Sequence, residues 1–76
     1  MLNKTDRLEV WVEPALSEPA GTKRVIIWNN SKQKYIDRFL LKPGISLSLF
    51  AGQLCQTWHT MGYDITNCLT DSQLRI

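Results

Sequence analysis

Long apolar runs are missing from this chain. No stretch approaches the roughly 18 consecutive apolar residues that a membrane helix needs, so a membrane span is excluded and no membrane partner is expected. The first residues, Met1 to Arg7, are polar and lack the apolar core and small-residue cleavage site of a secretory signal, which points to a cytoplasmic protein. Cysteine is scarce as well. Cys55 and Cys68 stand alone, whereas small secreted scaffolds are cysteine-rich, so two reduced thiols in or near the core are expected. A net charge of +2 is too weak to imply a polyanionic partner from the total alone. Internal repeats and low-complexity tracts are missing. So are a glycine-rich phosphate loop, a Cys-x-x-Cys pair, a ribonucleoprotein aromatic motif and a calcium loop.

What remains is the composition of an ordinary folded domain. Of the 76 residues 43% are hydrophobic and 21% charged, which argues against disorder and for one small domain over residues 1–76. The clearest element is a helix from Ser46 to Met61. Leu47, Phe50, Ala51, Leu54, Cys55, Trp58 and Met61 fall on one face at 3.6 residues per turn. Pro43-Gly44 breaks the chain ahead of it, Ser46 serves as N-cap, and Gly62 supplies the left-handed position that ends it. Upstream, Leu8, Val10 and Val12 alternate with Glu9, Trp11 and Glu13 as in a half-buried strand. Residues 24–28 and 35–41 are β-branched and aromatic, and the turn-rich 29–33 between them predicts an antiparallel hairpin. Pro14 to Thr22 reads as an irregular connection. After Gly62, residues 63–69 alternate as a fourth strand, with a short helix from Asp64 as the rival.

The expected fold is therefore α+β, in the order β-β-β-α-β. A small antiparallel sheet, centred on the 24–41 hairpin, packs against one amphipathic helix. Its expected core is Leu8, Val10, Val12, Val25, Ile27, Phe39, Leu47, Phe50, Leu54, Trp58 and Met61. The β-β-β-α order recurs in small DNA-binding and regulatory domains, but order alone identifies no family.

Catalytic chemistry finds little to work with. Cys55 and the single histidine, His59, stand at i and i+4 on the helix with Asp64 nearby. However, Cys55 belongs to the apolar face and His59 to the polar flank. Glu9 and Glu13 share a strand face but lie roughly 13 Å apart along extended chain, too far for a coupled carboxylate pair. Cys55, His59 and Cys68 are three soft ligands, with Asp64 as the nearest candidate for a fourth. A structural zinc site normally takes four, and the bland reading is a buried thiol beside a surface imidazole. We expect no enzyme, no cofactor and no metal.

Two features rise above this background. Between residues 23 and 42 lie Lys23, Arg24, Lys32, Lys34, Arg38 and Lys42 against Asp37 alone, with Trp28 and Tyr35 flanking the turn. Cations and π-faces in proximity suit phosphates and exposed bases, although lysine-rich hairpins also simply stay soluble. From Pro43 to Tyr63 there is no charged residue, and the helix's outer face carries Ser48, Gly52, Gln53, Gln56, Thr57, His59 and Thr60. Charge depletion marks interface centres, which suggests that a second copy or a partner protein covers this helix. If Val10, Val12, Val25 and Ile27 form the core face, Trp11 and Trp28 cannot both point inward, and an exposed tryptophan favours binding. The sequence thus predicts a small homodimeric interaction protein that modulates or inhibits a larger partner by occluding a surface. Trp11, Trp28, Ser48, Gly52, Gln53, Gln56 and His59 are its candidate contact residues. The second expectation is a nucleic-acid-binding regulator using Lys23, Arg24, Trp28, Lys32, Lys34, Tyr35, Arg38 and Lys42.

Overall fold

In the computed structural model, residues 3–14 and 19–70 are described. The elements run β1 (Arg7–Pro14), β2 (Lys23–Asn29), β3 (Lys34–Leu41), α1 (Leu47–Thr60) and β4 (Asp64–Asn67). This is the α+β order read from the sequence. The segment after Gly62 is a strand, not a second helix. Residues 15–18 of the irregular connection lie outside the described residues. Among the described residues, no helix is long and apolar enough to cross a membrane.

The sheet order is β3-β2-β1-β4. The hairpin therefore occupies one side of the sheet, and its centre is the pair β1 and β2. β1 to β2 and β2 to β3 pair antiparallel, but β4 pairs with β1 in parallel, with Arg7 opposite Asp64 and Val10 opposite Asn67. The expected all-antiparallel sheet is thus mixed. The cause is connectivity: two hairpin-type reversals make β3 run with β1, and the helix carries the chain back so that β4 follows the same direction. Cys68 N–H donates to the Val10 carbonyl at 2.9 Å and prolongs this pairing past the strand.

Alternation decides which side chains meet the helix. Leu8 and Val10 of β1, Val25 and Ile27 of β2, Leu41 of β3 and Ile65 of β4 are buried together with Leu47, Ala51 and Cys55 of α1. Val12, Phe39, Phe50, Leu54 and Trp58 pack against this cluster but stay half-buried. Phe39 and Phe50 meet edge to face at the β3 side, with ring centroids 5.4 Å apart. Trp58 and Tyr63 do the same at 5.0 Å near the end of the helix. Met61, expected in the core, is 45% exposed. It is the C-cap residue, and the chain turns away at Gly62, whose φ of +93° is the left-handed position anticipated there. At the other end, the Ser46 side chain accepts from Leu49 N–H at 3.2 Å, which satisfies one of the helix's free donors.

A buried polar pair fixes the hairpin to the start of the chain. Asn29, 1% exposed, donates from Nδ2 to the Asp6 carboxylate at 2.9 Å. Its Oδ1 accepts from Lys32 N–H at 3.0 Å. Asn30 N–H donates to the Arg7 carbonyl, and Arg7 N–H donates to Ser31 Oγ. The turn is therefore stitched to the residues that lead into β1. Truncating Asn29 to Ala removes both of its bonds and should cost about 1–3 kcal/mol, because the Asp6 carboxylate loses a buried donor. Ile27→Ala, which empties a fully buried site beneath the helix, should cost about 2–5 kcal/mol. Urea unfolding followed by circular dichroism measures both.

Candidate interaction face of the sheet

The same alternation that buries Val25 and Ile27 sends their neighbours to the side of the sheet away from the helix. Pairing arranges these residues in cross-strand rows. Glu13, Arg24 and Leu40 form one row, Trp11, Ile26 and Arg38 the next, and Glu9, Trp28 and Tyr35 the third. A bulge in β3 opposite Ile27/Trp28 shifts the register by one residue, which brings Tyr35 to this face beside Trp28. Among the described residues, no helix or strand covers these rows.

Ile26 is their centre. It is only 5% exposed although it points away from the helix. Trp11, Tyr35 and Leu40 are 40%, 53% and 55% exposed, and Trp28 is half-buried. Several of these groups are held in place. The Trp11 indole N–H donates to the Glu9 carboxylate at 3.0 Å. The Trp28 and Tyr35 rings meet edge to face at 4.9 Å, and the Arg38 guanidinium lies 5.5 Å from the Tyr35 ring centroid. Arg24 reaches Glu13 across the strands at 3.3 Å.

The expected basic patch is divided by this geometry. Arg24, Trp28, Tyr35 and Arg38 share the open face. Lys23 pairs with Leu41 at the end of the hairpin remote from the turn, with Lys42 beyond it, while Lys32 and Lys34 lie at the turn. Six residues of extended strand, roughly 20 Å, separate the two lysine groups. Lys32 is also engaged, its ammonium 3.7 Å from the Asp6 carboxylate. β1 meanwhile brings Glu13 opposite Arg24 and Glu9 opposite Trp28. The run of cations seen along the chain is therefore not one surface.

The expected protein-contact set also separates. Trp11 and Trp28 lie on the sheet, whereas Ser48, Gly52, Gln53 and Gln56 are exposed on the helix, which packs on the opposite face. His59 has a structural partner: its Nε2 lies 2.6 Å from the Ile65 carbonyl, so this nitrogen donates and ties the end of the helix to β4. Sequence reasoning missed Ile26 and Leu40. Ile26 sits in the continuous apolar run 25–27, where nothing but strand parity tells an outward residue from an inward one.

Cys55 is buried and Cys68 half-buried, and both are free thiols. Burial pushes the Cys55 thiol above its ordinary value of 9.0, with a smaller contribution from Cys68. Cys68 is raised by burial first and by the Glu9 carboxylate second. Among the described residues, no group of three or more His, Cys, Asp or Glu side chains is placed to hold a metal ion. Comparison with family models, with curated proteins and with solved structures finds no match for the chain.

Both thiols should remain protonated at neutral pH, so iodoacetamide should alkylate them more slowly than a free peptide cysteine, Cys55 last. Because the folded state favours the neutral thiol, its contribution to stability is present below the unfolded value and is lost as pH rises above about 9. Mass spectrometry of the alkylated peptides and urea unfolding across that pH range check the two statements.

Proposed function

We propose that this chain is a small non-enzymatic interaction protein that acts by laying the open face of its sheet on a complementary protein surface. The observation that carries this reading is the Ile26-centred arrangement. An apolar residue at the centre of the rows has Trp11, Trp28, Tyr35, Leu40 and Arg38 as its neighbours in the register, with Glu9 and Glu13 at the margin. Tryptophan, tyrosine and arginine around a desolvated centre are the residues that dominate protein interfaces, and lysine, depleted there, is missing from these rows. The fitting partner surface is apolar in the middle with opposite charges at its rim. The helix's outward residues offer no aromatic anchor, so the sheet is the better docking surface.

A nucleic-acid role draws support from the Trp28–Tyr35 pair beside Arg38, which has the chemistry of a stacking platform. Two features weigh against it. Glu9 and Glu13 stand where phosphates would have to pass, and the lysines lie at separate ends of the hairpin.

With p-benzoylphenylalanine at position 11, photo-crosslinking is expected to yield protein adducts that survive moderate salt, while the same group at position 53 on the helix yields none. Mixed-sequence oligonucleotides should leave the indole resonances of Trp11 and Trp28 unmoved. Indole shifts at low salt that vanish at moderate salt would replace this reading with the nucleic-acid one.

A further inference from the structure

The open face carries its charges asymmetrically. β1 presents Glu9 and Glu13 on either side of Trp11, whereas β3 presents Arg38 between Tyr35 and Leu40, and Ile26 of β2 lies midway. Such a face can complement itself. A twofold axis lying in the interface along β2 would superpose the β1 column of one copy on the β3 column of the other. Each Arg38 guanidinium would then meet the partner's Trp11 ring between the partner's two carboxylates. Tyr35 would face the partner's Glu9, and the β2 residues, lying on the axis, would meet their own copies, Ile26 at the centre and Arg24, held by Glu13 at 3.3 Å, against the partner's Arg24. A twofold axis across the strands would instead oppose like charges at three places rather than one, each Glu9 against the partner's Glu13 and Arg38 against Arg38, which repulsion disfavours.

We infer that the occupant of this face is a second copy of the chain, packed sheet to sheet about a twofold axis parallel to the strands. The inference rests on the reading of the open face as a protein-docking surface. Sedimentation equilibrium from micromolar to submillimolar concentration tests it. Wild-type protein is expected to move from monomer to dimer over that range. Arg38→Glu, an exposed position whose replacement leaves the core untouched, should weaken dimerisation by at least about tenfold. Adding Glu9→Arg to Arg38→Glu should restore most of the loss, because the swapped charges meet again across the axis. Amide-resolved spectra of each variant report whether it is folded, and Leu40→Glu, at a position 55% exposed that would face the partner's Glu13, gives a second route to a folded monomer. A wild-type chain that stays monomeric throughout overturns the inference, as does a dimer indifferent to Arg38→Glu and Leu40→Glu. Neither result touches the docking reading itself, which fails only through the crosslinking and oligonucleotide measurements.

Discussion

With a single helix available, only one face of the sheet can be closed, and the pairing of β1 with β2 decides which residues stay outside. Val10 opposite Ile27 and Val12 opposite Val25 put four apolar side chains on the helix side. Shifting either strand by one residue would exchange them for Trp11, Glu13, Arg24 and Ile26, and charged side chains would face Leu47, Ala51 and Cys55. Burial thus holds the register tightly. The same register fixes the composition of the open face, so core and candidate site are two readings of one constraint. The Asp6–Asn29–Lys32 contacts enforce it from the turn end, since Asn29 is the last residue of β2 and Asp6 immediately precedes β1.

Much of the fold was legible because local chemistry and long-range packing agree. The helix is bounded by the Ser46 cap and the positive φ of Gly62, both visible as residue types at the right spacing. The alternation of Leu8, Val10 and Val12 gave β1, and four of the five strand residues expected in the core among 8, 10, 12, 25 and 27 are fully buried, with Val12 half-buried. The parallel course of β4 was not legible, because four residues of strand look the same in either direction and only the connection through the helix sets it. Met61 misled for a related reason. Its offset matches the apolar face, but helical periodicity stops applying once the chain turns.

The candidate site was legible in its parts and not in its arrangement. Strand parity together with the pairing places Trp11, Arg24, Trp28 and Arg38 on the side away from the helix. Charge segregation along the chain did not survive pairing. Cations cluster in residues 23–42 and carboxylates before them, yet adjacency of β1 and β2 interleaves the two sets in space. An electrostatic argument made on chain segments treats as separate what hydrogen bonding brings within reach, as the contact between Arg24 and Glu13 illustrates. That pair is itself a third exposed at each side chain, so it contributes at most about 1 kcal/mol, and its importance lies in neutralising the face more than in stabilising the fold.

The edges of the sheet add a final constraint on how this molecule can associate. A free strand edge invites pairing with another chain. Among the described residues β3 is such an edge and is eight residues long, but it carries the bulge opposite Ile27/Trp28, which breaks the regular ladder and increases local twist. Lys34, Asp37 and Arg38 add charged side chains along it, a common way of blunting an edge. At the other edge β4 has only four residues, too few to template much pairing. Edge-to-edge growth is thus discouraged on both sides. The face remains, and its aromatic groups are already oriented by Glu9, by the Trp28–Tyr35 contact and by Arg38. Side chains ordered before contact lose less rotamer freedom on binding. A flat surface of modest size can in this way hold a partner that an equally large but mobile one would not.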